Sequence, residues 1–188
     1  MKRIIVFASG SGTNAQNIIE YFQKTNFAEV TLVLSNKKNA KVLERAKKLN
    51  ISSNSFSKED LSDSNKIFDV LKNENPNIIV LAGFLLKFPE FILNEFPNKV
   101  INIHPALLPK YGGKGMYGSR VHEAVIENNE SETGITIHYV NENYDEGAII
   151  FQEKVNVSEK DTPDSVAEKI HELEYEFFPK VIEEILKK

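Results

Sequence analysis

Two polar residues, two positions apart, interrupt an apolar stretch in Lys99-Val100-Ile101-Asn102-Ile103-His104-Pro105. In an extended chain alternate side chains share a face, so Asn102 and His104 lie together while Ile101 and Ile103 point away. An amide donor beside an imidazole suits acyl chemistry, where an oxyanion forms on a tetrahedral carbon and protons must move. The bland alternative is a buried Asn and His that satisfy backbone partners. Gly134-Ile135-Thr136-Ile137-His138-Tyr139-Val140 repeats the pattern and offers Thr136 and His138 as a second wall. Asp145, in Asn143-Tyr144-Asp145-Glu146-Gly147, reads by type alone as a turn former, and any chemical role depends on its neighbours.

A second candidate is the glycine-rich turn Ala8-Ser9-Gly10-Ser11-Gly12-Thr13-Asn14-Ala15 between a strand-like run and a helical stretch. Such a turn presents backbone N–H groups and a helix N-terminus to an anion. It also fits the loose G-x-G-x-x-A dinucleotide pattern, but the place about 20 residues on, where an acidic residue would hold ribose hydroxyls, reads Leu34-Ser35-Asn36-Lys37. A single phosphate is therefore favoured over a dinucleotide. No G-x-x-x-x-G-K-[ST] or G-x-S-x-G segment occurs. His122-Glu123 begins like a zinc helix, but Ile126 stands where the second histidine belongs, so no metal is expected. With no cysteine, thiolate sites and thiol nucleophiles are excluded.

These residues need a scaffold, and the hydrophobic pattern supplies one. Ile4–Ala8, Val30–Leu34, Ile78–Ala82 and Val100–Ile103 are short continuous apolar runs. Ala15–Phe22, Ala40–Leu49 and Ser64–Leu71 carry apolar residues at helical steps between them. Strands apolar on both faces suit a parallel sheet covered on both sides, so the fold class is α/β with a doubly wound, mostly parallel sheet. The alternation at Ile135–Val140 and the run Ile149–Val157 predict an antiparallel C-terminal strand pair on the same sheet. A final helix begins at Thr162-Pro163, an N-cap followed by proline at the first helical position, and Pro179 should break or kink it.

A chain of 188 residues is one domain of ordinary size, burying roughly 70% of its unfolded surface. Its net charge of -4 offers no general basic footprint for nucleic acid or an anionic membrane. No apolar run approaches the roughly 20 residues that span a bilayer, and a cytoplasmic location is expected.

Gly10-Ser11-Gly12-Thr13-Asn14, Ser35-Asn36-Lys37, Leu81-Ala82-Gly83-Phe84, Asn102-Ile103-His104-Pro105-Ala106-Leu107-Leu108-Pro109 and Asp145-Glu146-Gly147 together resemble the phosphoribosylglycinamide formyltransferase family. The Asn-x-His-Pro segment points to the wider formyltransferases, and the glycine-rich turn narrows the likeness to the enzymes of purine synthesis. The resemblance implies formyl transfer from 10-formyltetrahydrofolate, as co-substrate, to the amine of glycinamide ribonucleotide. It implies Asn102, His104 and Asp145 as the catalytic trio. Gly12, Thr13 and Asn14 match the phosphate loop, with Gly83, His171 and Glu174 also on the substrate side. Leu85, Leu86, Phe88, Leu93, Val100 and Val140 match the lining of the folate pocket, although most would be core residues in any α/β fold. The same likeness treats 1–188 as one formyltransferase domain, with a phosphate-binding Rossmann-like half at 1–100 and a catalytic, folate-binding half at 101–188. The expected partners are the two substrates, without nucleic acid or membrane, acting on a monomer or homodimer.

Two departures stand out. Lys110–Gly118 is longer and richer in glycine than the family's usual segment, and its glycines predict a mobile flap near the site mouth over Tyr111–Gly118. Leu86 stands where some relatives carry arginine. The rival readings are a formyltetrahydrofolate deformylase, expected to carry an extra N-terminal domain, and an idle folate- or nucleotide-binding module. A methionyl-tRNA formyltransferase is expected to need a C-terminal tRNA-binding domain.

Overall fold

Successive residues of Lys2–Phe7 bury in opposite directions: Ile4 and Val6 join one apolar cluster, Ile5 and Phe7 another. This is the signature of a strand covered on both faces. In the computed structural model, which describes residues 1–188, it is β1, an interior strand of one seven-stranded sheet. The other strands are β2 (Ala28–Ser35), β3 (Ser52–Ser55), β4 (Ile78–Leu81), β5 (Val100–His104), β6 (Glu132–Tyr139) and β7 (Ile149–Asn156). Their order is β3-β2-β1-β4-β5-β6-β7. The first five pair in parallel, and β6 runs antiparallel to both β5 and β7.

On one face Ile4, Val6 and Ile101 pack with buried residues of α1 (Thr13–Thr25), α2 (Lys41–Lys48) and α7 (Pro163–Lys187). On the other, Ile5, Phe7 and Ile79 meet α3 (Lys58–Ser62), α4 (Ile67–Glu74) and α5 (Glu90–Glu95). A further helix, α6 (Ser119–Glu127), packs against α7. Phe7 stands edge-on to Phe56, Phe84 and Phe88, with ring centroids 5.8, 5.3 and 5.2 Å away. That contact fixes the turn after β4 to the core.

The polar edge strand β3, Ser-Ser-Asn-Ser, has no apolar pattern from which to read it; its pairing with β2 is a matter of backbone alone. The chain leaves β1 towards β2 and later returns to β4 on the opposite side. The reversal opens a crevice beyond the carboxyl ends of β1 and β4, where ligands bind in doubly wound folds.

Pro179 does not break the last helix, which runs unbroken over 25 residues. A proline cannot donate to the carbonyl four residues back, here that of Tyr175. The side chain of Asn17, on α1, donates to that carbonyl at 2.9 Å. The lost rung is thus replaced from a neighbouring helix, and Pro179 is buried against the core. Asn17→Ala should therefore lower stability by about 1 kcal/mol in chemical denaturation. In a Pro179→Ala background, where residue 179 regains its own N–H, the same substitution should cost about half as much or less; equal losses in both backgrounds would count against this pairing.

Candidate active site

The phosphate-type turn follows β1 directly. Gly12, at the N-cap of α1, adopts a left-handed φ of 75°, and no side chain caps the helix. The first N–H groups of α1 are therefore left for a ligand. Ser9 ties three turns together: its N–H donates to Gly83 O at 3.0 Å, its hydroxyl donates to Asn36 Oδ1 at 2.6 Å and accepts from Leu85 N at 3.0 Å. The turns after β1, β2 and β4 are thus one rigid unit. Arg45, on α2, braces the glycine turn by donating to Ser11 O at 2.8 Å.

A Cβ on Gly12 would lie 2.4 Å from the side chain of Val42 on α2. The glycine is required by helix packing as well as by φ, so a bulky residue there would damage the fold before it touched a ligand. Asn14 Nδ2 donates to Glu174 Oε2 at 2.8 Å, which joins α1 to α7 across the mouth of the turn. Burial raises the Glu174 carboxyl to about 7, with the Asn14 bond pulling the other way. Asn14 Oδ1 is buried without a partner. Thr13 is the first residue of α1. His171 is exposed one turn before Glu174 and stacks on Tyr175 at 6.1 Å.

The second cluster comes from the register of β5 with β6. Asn102 lies opposite His138, and His104 opposite Thr136. Asn102 Nδ2 approaches His138 Nε2 at 3.1 Å, while His138 Nδ1 donates to Tyr139 O at 2.8 Å. That tautomer leaves Nε2 free to accept from the amide. Asp145 enters from the loop between β6 and β7, its Oδ2 3.5 Å from His104 Nδ1 and its Oδ1 3.6 Å from His138 Nε2. Its φ of 57° is left-handed, so Asp145 is a turn former and a member of the cluster at once.

His104 is buried, and burial lowers its pKa against the pull of the Asp145 charge and of its bond to Tyr111. For Asp145 burial pushes upward, but the neighbouring His138 and His104 rings and the Gly113 N–H leave the carboxyl below its ordinary value. His104 Nε2 donates to Tyr111 O at 2.7 Å, and Gly113 N–H donates to Asp145 Oδ2 at 2.9 Å. The Tyr111–Gly118 segment is therefore fastened to both. Thr136 is not a wall of this site. Its hydroxyl donates to Ala106 O at 2.7 Å and accepts from Leu108 N at 3.0 Å, holding the turn that follows His104.

The residues assigned to the folate side divide. Leu85, Leu86 and Phe88 line a cavity of about 470 Å³ together with Phe91, Tyr144 and Lys58. Leu93, Val100 and Val140 lie outside that lining: Val100 is buried in the core, with Leu93 and Val140 packed against it. No cluster of His, Asp and Glu is arranged to hold a metal ion. The sequence singles out the Tyr111–Gly118 segment as a flap near the site mouth but not the contacts of Tyr111 and Gly113, since each reaches the cluster through its backbone. His138 was visible as half of an alternating pair.

The arrangement offers donors and an imidazole–carboxylate pair around one point, with an anion-binding turn in the same crevice. Residues 2–182 match the family model described as Formyl transferase. A phosphoribosylglycinamide formyltransferase of Bacillus subtilis is 36% identical over 193 residues, covering 99% of this chain and 95% of that protein. A chloroplastic one from Arabidopsis thaliana is 37% identical, and there this chain spans 64% of the relative's length. It spans 13% of a trifunctional purine biosynthetic protein of Chironomus tentans, at 43% identity. The crystal structure of the Bacillus halodurans phosphoribosylglycinamide formyltransferase superposes with a TM-score of 0.88 at 35% identity, covering all of this chain and 96% of that one. The chain belongs to the formyl transferase family, among its phosphoribosylglycinamide formyltransferases.

Proposed function

We propose that this chain transfers the formyl group of 10-formyltetrahydrofolate to the primary amine of glycinamide ribonucleotide, for purine synthesis. The observation that carries the reading is the meeting of Asn102, His104, His138 and Asp145 beside an uncapped glycine turn. Residues 1–188 act as one unit, with phosphate at Gly12–Asn14 beside Gly83, and the ribose by Glu174 and His171. The formyl group lies against Asn102 and His104. Leu85, Leu86 and Phe88 contact the folate, and Leu93, Val100 and Val140 support that wall from behind.

The amine nitrogen attacks the formyl carbon, and the carbonyl π electrons move to oxygen. Asn102 and His104 stabilise the resulting oxyanion by hydrogen bonds. Asp145 favours the charged form of His104 against the burial that opposes it, and helps the amine proton pass to the departing folate nitrogen as the old C–N bond breaks. His104 Nε2 is held by the Tyr111 carbonyl, so Tyr111–Gly118 must move for that nitrogen to face substrate. Hydrogen exchange in this segment should change on addition of both substrates, whereas exchange as slow as in the core strands throughout would refute a moving flap.

Product analysis with 10-formyltetrahydrofolate, with and without glycinamide ribonucleotide, tests the reaction. Formylated ribonucleotide is expected; formate released without the amine substrate would mean a deformylase, and no turnover a binding module. Asp145→Asn should lower kcat roughly 100- to 1000-fold with little change in either KM. Removing the carboxylate should also move the NMR titration of His104 to lower pH, because its charge favours the imidazolium. A folded variant with near-normal turnover and an unmoved titration would leave Asp145 a turn residue only. Asn14→Ala should weaken ribonucleotide binding about tenfold in calorimetry and leave folate binding nearly unchanged.

A further inference from the structure

The carbonyl that holds His104 Nε2 belongs to a residue that is itself gripped from its other end. Tyr111 has a left-handed φ of 56°, an unfavourable conformation for a residue with a side chain. Its phenol donates to Glu130 Oε1 at 2.9 Å, and the neighbouring Lys110 Nζ donates to both oxygens of the same carboxylate, at 3.0 and 3.1 Å. Glu130 is fixed in turn: it follows α6, and its N–H donates to Val125 O at 3.2 Å. One carboxylate thus closes the base of the loop, tying Lys110 and Tyr111 to the end of the helix that follows Gly118. No part of the scheme above uses it.

We propose that Glu130 is a positioning residue for His104: by gripping the Tyr111 phenol and Lys110 it holds the Tyr111 carbonyl on His104 Nε2, and so keeps the imidazole masked until a substrate displaces that carbonyl. The masking rests on the functional reading above, in which His104 answers the oxygen of the formyl group. A peptide carbonyl is an acceptor of the same kind, so Tyr111 O takes the part of the substrate's oxygen and spares a buried N–H from standing unpaired. The grip has a fixed polarity. Burial and Glu130 push the Tyr111 phenol up to about 12, while Lys110 and Tyr111 hold the Glu130 carboxyl below its ordinary value. Donor and acceptor therefore keep their roles across the neutral range. The Lys110 side chain is 66% exposed and that of Glu130 only 21%, so the phenol bond matters more than the ion pair at the surface. Lys110, Tyr111 and Glu130 also line a cavity of about 470 Å³ with Gln152 and Lys154, and none of Asn102, His104, His138 and Asp145 borders it. That cavity gives a released ring room to move.

Hydrogen exchange and NMR titration of the full chain test this without substrates. Glu130→Ala should speed exchange of the Gly113 and Met116 amides, both hydrogen-bonded within the closed loop, about tenfold. It should also move the His104 titration to lower pH, because the bond to Tyr111 favours the charged ring. Tyr111→Phe, which removes only the phenol hydroxyl, should do both to a lesser degree, and it carries the test if Glu130→Ala fails to fold. Glu130→Gln keeps an acceptor for the phenol and should recover most of both effects. Lys154→Ala, which breaks the neighbouring ion pair with Glu132, should change neither. An unmoved His104 titration, or unchanged exchange in both Glu130→Ala and Tyr111→Phe, overturns the proposal. Equal effects in Lys154→Ala overturn it too, by reducing Glu130 to a brace of the strand pair. Neither readout needs turnover, so both as expected in a protein that transfers no formyl group would remove the functional reading and leave the hold of Glu130 on His104 standing.

Discussion

The antiparallel pairing of β5 with β6 sets the geometry on which the chemistry depends. It seats Asn102 opposite His138 and His104 opposite Thr136, so a slip of β6 by one residue would turn His138 and Thr136 to the other face of the sheet. The pairing also takes two imidazoles out of water beside a largely covered carboxylate, an arrangement that is costly unless each polar atom is used. They are used: Asn102 and Tyr139 hold His138, Tyr111 holds His104, and Gly113 holds Asp145. Most of those partners are backbone groups. The cluster is therefore coupled to the conformation of the loops more than to the identity of their side chains.

The other half of the site depends on the reversal of chain direction between β1 and β4. Ser9 links the turns after β1, β2 and β4, while Asn14 and Glu174 link the first and last helices across the same crevice. Residues more than 150 positions apart in sequence are thus brought to one point because α1 and α7 cover the same face of the sheet. Asn17 and Tyr175 repeat that link one turn along. The helix pair joined by Asn14 and Glu174 is the pair that compensates for Pro179.

Much of the fold was legible because its parallel strands are apolar on both faces, and Ile4–Ala8, Val30–Leu34 and Ile78–Ala82 announce themselves as continuous runs. The strand Ser52–Ser55 was not, because an edge strand of polar residues carries no period in hydrophobicity. A break at Pro179 was expected because local rules see the missing N–H but not the Asn17 amide, which reaches the Tyr175 carbonyl from 158 residues earlier. In the site, alternation placed Asn102 with His104 and Thr136 with His138, but only the pairing partner shows that Thr136 is spent on Ala106 and Leu108. Gly12 carried two demands of which the sequence displays one: the open turn is visible in the motif, the contact with Val42 is not.

Asp145 shows why type-based reasoning and chemistry need not compete. A left-handed φ suits aspartate in a turn, and the same turn brings its carboxylate to His104 and His138. Without that charge, burial alone would hold His104 neutral, able to offer a hydrogen bond but poorly able to answer a developing oxyanion. With it, the imidazolium becomes accessible within the cluster, against a burial penalty that keeps the resting ring uncharged. A histidine held by opposed influences of this kind can take up a proton and give it back in a single turnover, which is what the proposed transfer of a formyl group between two nitrogens requires.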